Sequence, residues 1–98
     1  MEKQCGGVTT TIGVIGNKWT IPILWALCSE PKGFNQLERE VQGVSPRILS
    51  ERLKEMAANN LVEKTVFPTT PPTVQYALTA KGRSLKPIIA QLDEWGNS

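Results

Sequence analysis

The run Ser45 to Lys64, SPRILSERLKEMAANNLVEK, constrains the fold more than any other part of the chain, because it specifies a helix and then turns directly into a strand. Ser45 offers a hydroxyl to cap the helix. Pro46 fits the first helical position, where its missing N–H would have no intrahelical partner anyway. Leu49, Leu53 and Met56 follow at spacings of four and three, which stacks them on one face. Arg47, Ser50, Glu51, Lys54 and Ala58 fall on the opposite side. After Ala57-Ala58-Asn59-Asn60 the composition changes to Val62, Thr65, Val66 and Phe67, which favours a strand. One helix face is therefore committed to a core and the other is free. Taken alone, the run also fits an ordinary surface helix in which Glu51 and Glu55 offset Arg47, Arg52 and Lys54.

The neighbouring segments narrow the choice. Val8 to Ile15 carries Val8, Ile12 and Ile15 at helical spacing. From Lys18 the pattern WTIPILWALC is apolar nearly all round and predicts a central buried helix, with Pro22 near its start and with Pro31 and Gly33 ending it. Phe34 to Val41 puts Phe34, Leu37 and Val41 on one stripe, Gly43 closes that helix, and the spacer QGVS leads into Ser45. Two short amphipathic helices joined in this way form a helix-turn-helix pattern. Leu61 to Phe67 and Thr73 to Leu78 then read as a hairpin around the proline-rich loop PTTPP. Thr79 caps a last helix whose apolar face carries Leu85, Ile88, Ile89, Leu92 and Trp95, with Pro87 bending it or delimiting its first half.

A chain of 98 residues, 40% hydrophobic, builds one domain with one core. With 11 basic and 9 acidic residues the net charge is only +2, so nucleic-acid binding must come from charge placement and not from bulk charge. The apolar run Ile21 to Leu27 is too short for a bilayer, and MEKQCGG lacks the pattern of a secretion signal, so a cytoplasmic protein without a membrane partner is expected. Two cysteines and no histidine do not make a disulfide framework or a mixed Cys/His zinc site. No metal or cofactor is expected. Without histidine, a Gly-rich phosphate loop or a nucleophile beside a base, catalysis has no visible equipment either.

Helix, helix, turn, helix, strand, loop, strand, helix is the order of a winged helix-turn-helix: a mainly α fold with a small β-hairpin, a three-helix core and a wing. In that arrangement the third core helix, about residues 45–58, enters the major groove of double-stranded DNA, and the wing, about 61–78, lies beside it. Ser45, Pro46 and Arg47 would meet the DNA first, with Ser50 and Lys54 one and two turns on. The guanidinium of Arg47 suits a guanine edge or a phosphate.

These residues also resemble the HxlR-type winged-helix transcriptional regulators. The resemblance rests on Cys5, Gly16-Asn17-Lys18-Trp19, Phe34-Asn35-Gln36-Leu37, Ser45 through Met56 and Pro71 through Gly82, in the family's order and over nearly the whole chain. It implies a homodimeric regulator, most often a repressor, on a two-fold symmetric operator, with N- and C-terminal helices forming the dimer contact. The surplus apolar residues Ile12, Ile15, Ile89, Leu92 and Trp95 at the chain ends agree with that. Trp19 is expected in the core.

The wing departs from the family pattern. Thr73 follows the paired prolines, and Pro68 to Val74 contains no Lys or Arg. Hydroxyls of Thr69, Thr70 and Thr73 remain as phosphate donors, and Lys64 at the hairpin base is the nearest cation. Some relatives sense oxidants or electrophiles through a cysteine near the N-terminus. Cys5 reads equally as such a thiol, favoured weakly by Lys3, or as a packed or idle residue. Cys28, within the apolar helix, reads as a small buried hydrophobe. The effector is not legible. A winged-helix module that docks a protein instead of DNA is the competing function, favoured by the modest charge and the uncharged wing.

Overall fold

In the computed structural model, which describes residues 6–98, the chain runs α1 (Gly6–Ile15), α2 (Thr20–Leu27), β1 (Lys32–Gly33), α3 (Phe34–Glu40), α4 (Pro46–Ala58), β2 (Val62–Phe67), β3 (Thr73–Leu78), α5 (Ala80–Arg83) and α6 (Lys86–Gly96). Ile23, Leu24 and Leu27 of α2 meet Leu37 and Val41 around α3 and Leu49, Leu53 and Met56 of α4 in one buried cluster, closed by Leu61, Val62, Leu78 and Ile89. The expected three-helix core with a wing is the observed fold.

Both ends of α4 are held by local chemistry. The Ser45 hydroxyl accepts the Ile48 N–H at 3.1 Å, and Pro46 occupies the first turn. At the far end Asn60 takes φ 62°, and the N–H groups of Asn60 and Leu61 donate to the Ala57 and Met56 carbonyls at 3.0 and 2.8 Å. This is a Schellman stop, with an asparagine in the left-handed position. Leu61 is thereby turned into the core as the chain enters β2. Between α3 and α4, Gly43 has φ +86°, a conformation that side chains other than glycine, Asn or Asp resist.

Asn17 has a definite structural task. Its side-chain oxygen accepts the N–H groups of Trp19 and Thr20, both at 2.9 Å, and its amide donates to the Thr20 hydroxyl at 2.6 Å, so it organises the start of α2. Trp19 packs against the core as expected, half-buried at its side, with the Lys18 ammonium 4.9 Å from its ring centroid. Cys28, also half-buried, is a thiol whose pKa burial pushes up, opposed by Lys86.

The hairpin is part of a three-stranded antiparallel sheet in the order β1-β3-β2. Its register pairs Val62 with Leu78 and Phe67 with Thr73, while β1 pairs Lys32 with Tyr76. The β1 strand is not evident in the sequence. Lys32 is 7% exposed on its side chain and forms an ion pair with Glu40 at the end of α3, which also accepts a hydrogen bond from Gln36 at 3.1 Å. The hydrogen bond from Lys32 and then that from Gln36 hold the Glu40 carboxyl below the usual carboxylate range. A carboxyl depressed on folding stabilises above its unfolded pKa of about 4.3, and that contribution disappears as pH falls through the folded value. Glu40→Gln is therefore expected to melt below wild type at neutral pH, with the gap closing in acid. A gap independent of pH in thermal melts would exclude this role.

The C-terminal helix is interrupted. Thr79 caps α5 by accepting the Gly82 N–H at 3.0 Å, and its hydroxyl donates to the Asn60 carbonyl at 2.6 Å. The chain then breaks at Ser84-Leu85 and restarts as α6 with Pro87 in its first turn. A proline there cannot donate to residue 83, and its ring would press on that carbonyl in a continuous helix.

Candidate nucleic-acid interface

The outward face of α4 places Arg47, Ser50 and Lys54 in solvent, as the spacing predicts, while Leu49, Leu53 and Met56 are buried. Ser45 is half-buried; its oxygen is committed to the cap, and its proton is left to donate. Pro46 is exposed beside it. The Arg47 side chain is 79% exposed and touches Glu51 one turn on, with Nη1 to Oε2 at 3.2 Å. A surface pair of this kind is worth about 0.3–0.5 kcal/mol, so it directs the guanidinium without locking it. Arg52 points elsewhere: it pairs with Glu55 at 3.0 Å, lies 3.8 Å from Glu51, and has a buried Nε without a hydrogen-bond partner.

Lys64 joins this surface. It shares the sheet face of Val62, pairs across the strands with Tyr76, and lines a shallow cleft of about 180 Å³ together with Ser50, Lys54, Ala57 and Tyr76. Burial pushes the Tyr76 phenol up, so it remains a neutral donor. Lys54 of α4 and Lys64 of β2 thus line the same cleft, a placement of charge that the net value of +2 conceals.

The wing tip is tied up internally. Thr69 donates its hydroxyl proton to the Pro71 carbonyl at 2.7 Å and lies 3.2 Å from the Thr73 hydroxyl. With the Thr69 proton engaged, Thr73 must be the donor in that second contact. Phosphate oxygens need donors, so contact through Thr69 or Thr73 requires this pair to open; Thr70 makes no such bond. The sequence shows the hydroxyls but not that two of them face each other.

Of the apolar residues expected at a dimer contact, Ile12 is exposed on α1, and Leu92 and Trp95 are exposed on α6, Trp95 at 79%. Trp95 is thus not packed within its own chain. Ile15 is half-buried. Ile89 requires a correction: at 5% exposure it belongs to the core of its own chain, because a step of one residue along α6 rotates it about 100° from Ile88 and toward α2. Val8, Ile88 and Trp25 are exposed apolar residues not anticipated at this surface. Trp25, Leu92, Ile21 and Pro22 border an open apolar groove of about 290 Å³ between α2 and α6. Cys5 lies outside the described residues. Among the described residues no cluster of His, Cys, Asp or Glu suits a metal ion, and no helix is long and apolar enough to cross a membrane.

Comparison with known proteins gives consistent relatives. A family model described as HxlR-like helix-turn-helix matches residues 14–98. The uncharacterized HTH-type transcriptional regulator YybR of Bacillus subtilis (strain 168) is 37% identical over 97 residues, covering 99% of this chain and 78% of that protein. The reduced form of the transcriptional regulator YodB from B. subtilis superposes with a TM-score of 0.84 at 32% identity, covering 95% of this chain and 91% of that one. The redox regulator HypR in its oxidized form superposes with a TM-score of 0.85 at 37% identity, covering 93% and 94%.

Proposed function

The chain belongs to the HxlR-like helix-turn-helix family and is a DNA-binding transcriptional regulator, and from that premise we propose that it acts as a homodimeric repressor reading a two-fold symmetric operator through α4. The observation that carries the proposal is the division of α4: its apolar side completes the core, while Arg47, Ser50 and Lys54 stand free beside Lys64. A dimer presents this face twice, and occupancy of the paired half-sites excludes the transcription machinery. The reading needs no catalysis, and it places the protein in the cytoplasm.

Arg47→Ala tests the assignment. Loss of a bidentate base contact is expected to cost about 1–3 kcal/mol of affinity for the selected site. Titration of labelled duplex followed by anisotropy measures it, and unchanged affinity removes Arg47 from the reader. The uncharged wing loop, Pro68 to Val74, favours a second reading, a module that docks protein. A mobility shift with mixed genomic fragments separates the two, since such a module retards none.

We further propose Cys5 as a redox switch. The support is its place near the N-terminus and the redox-named neighbours, among them HypR and the diamide-treated and quinone-bound forms of YodB. Diamide is expected to release DNA from wild type and not from Cys5→Ser; equal release from both excludes the switch.

A further inference from the structure

We propose that Glu51 is a positioning and specificity-determining residue of the DNA interface, holding Arg47 for a base edge and not for the phosphate backbone. The inference rests on the reading of α4 as the recognition helix. Glu51 lies on the outward side of α4, one turn beyond Arg47 and next to Ser50, and its carboxylate is shared. Oε2 accepts from Arg47 Nη1 at 3.2 Å, and Oε1 lies 3.8 Å from Arg52 Nη2. Arg52 is the fixed member of this chain, only 22% exposed and bonded to Glu55 at 3.0 Å. Glu51 thus stands between two guanidinium groups, hydrogen-bonded to that of Arg47 and within ion-pair range of that of Arg52.

One consequence is geometric. A guanidinium has five N–H groups, and the Glu51 contact uses one, which leaves enough for a bidentate pair with guanine O6 and N7. An arginine on a flexible stem would otherwise be free to take any nearby phosphate oxygen, a contact that strengthens binding and carries no sequence information. Another consequence is electrostatic. A carboxylate on the groove-facing side is repelled by the backbone, so it weakens binding to DNA in which Arg47 finds no guanine. Such a restraint matters in this chain because the wing loop from Pro68 to Val74 has no cation, so on the proposed reading discrimination falls mainly to α4. The Arg47-Glu51 spacing is visible in the sequence, where it passes for an ordinary solubilising pair.

The experiment compares wild type, Glu51→Ala, Glu51→Gln and Arg47→Ala/Glu51→Ala, measuring affinity for the site that wild type selects from random DNA and for random-sequence duplex. Glu51→Ala is expected to bind random duplex more tightly and to lose about threefold in the ratio of selected to random affinity. Glu51→Gln keeps an acceptor for Arg47 without the charge, and is expected to recover the share of that ratio that positioning supplies and to keep the tighter binding to random duplex. In the absence of Arg47, changing Glu51 is expected to leave the ratio where Arg47→Ala alone puts it. An unchanged ratio in Glu51→Ala, or a ratio in Glu51→Gln no higher than that in Glu51→Ala, overturns the positioning role while DNA reading by α4 stands. A wild type that selects no site overturns both. All of these side chains are exposed apart from Arg52, which is left intact, so thermal melts of the variants should overlay wild type.

Discussion

A Leu92→Glu/Trp95→Glu variant is expected to be a folded monomer that binds selected DNA at least about a hundredfold more weakly than wild type. In a symmetric dimer each half-site contact raises the effective concentration of the other, and that gain vanishes with the dimer. The two side chains are exposed on the single chain, Trp95 at 79% and Leu92 at 49%, so the subunit core does not depend on them. A tryptophan buries about 150–250 Å² when covered, which makes it the largest apolar contribution this end of α6 can offer. In the proposed dimer, carboxylates at these positions would be desolvated and mutually repelled across the two-fold axis. Light scattering reports the mass and anisotropy the affinity. A dimeric variant with normal binding would place the interface elsewhere. Ile89→Glu is the contrasting case: Ile89 faces α2 in the core, so the charge there should unfold the subunit and not merely separate two.

Gly82→Ala is expected to be destabilising by about 3 kcal/mol, the upper part of the range for overpacking, although alanine is the better helix former by about 1 kcal/mol. A Cβ built at this position would lie 2.2 Å from the Leu61 carbonyl oxygen and 3.2 Å from a Leu78 methyl. The first of these is backbone, and it cannot swing aside. The Leu61 carbonyl already accepts the Thr79 N–H at 3.0 Å, and Leu61 is fixed by its own N–H bond to Met56 at 2.8 Å. Relief of the clash would therefore pull α5 from the end of α4 and loosen the entry to the wing. For a domain of this size the expected fall in Tm is about 12–24 °C. Calorimetry of purified protein gives the value directly, and a neutral or raised Tm would mean that α5 can move without cost.

Where local chemistry decides the structure, the sequence is informative. The Ser45 cap, Pro46 and the Asn59-Asn60 stop delimit α4, and the strands run Val62–Phe67 and Thr73–Leu78 where the β-branched runs lie. What remains hidden depends on partners distant in sequence. The β1 strand is only Lys32 and Gly33, without β-forming character, and exists because β3 has an edge to fill. The burial of Lys32 follows from Glu40, which α3 brings back to it. In the sequence Ile89 groups with its exposed neighbours, because an apolar face broad enough for two tasks does not reveal which residue serves which. The Thr69-Thr73 contact depends on how the loop folds back, so hydroxyls that the sequence offers to DNA are engaged with the loop itself.

Selection of bound duplexes from a random pool by the wild-type protein, followed by sequencing, tests the central claim most directly. The account requires enrichment of two inverted half-sites, centred about 10–10.5 base pairs or a multiple apart and containing a guanine whose preference is lost when Arg47 is replaced by Ala. A pool that stays unenriched, or an asymmetric site whose preference survives Arg47→Ala, would contradict it.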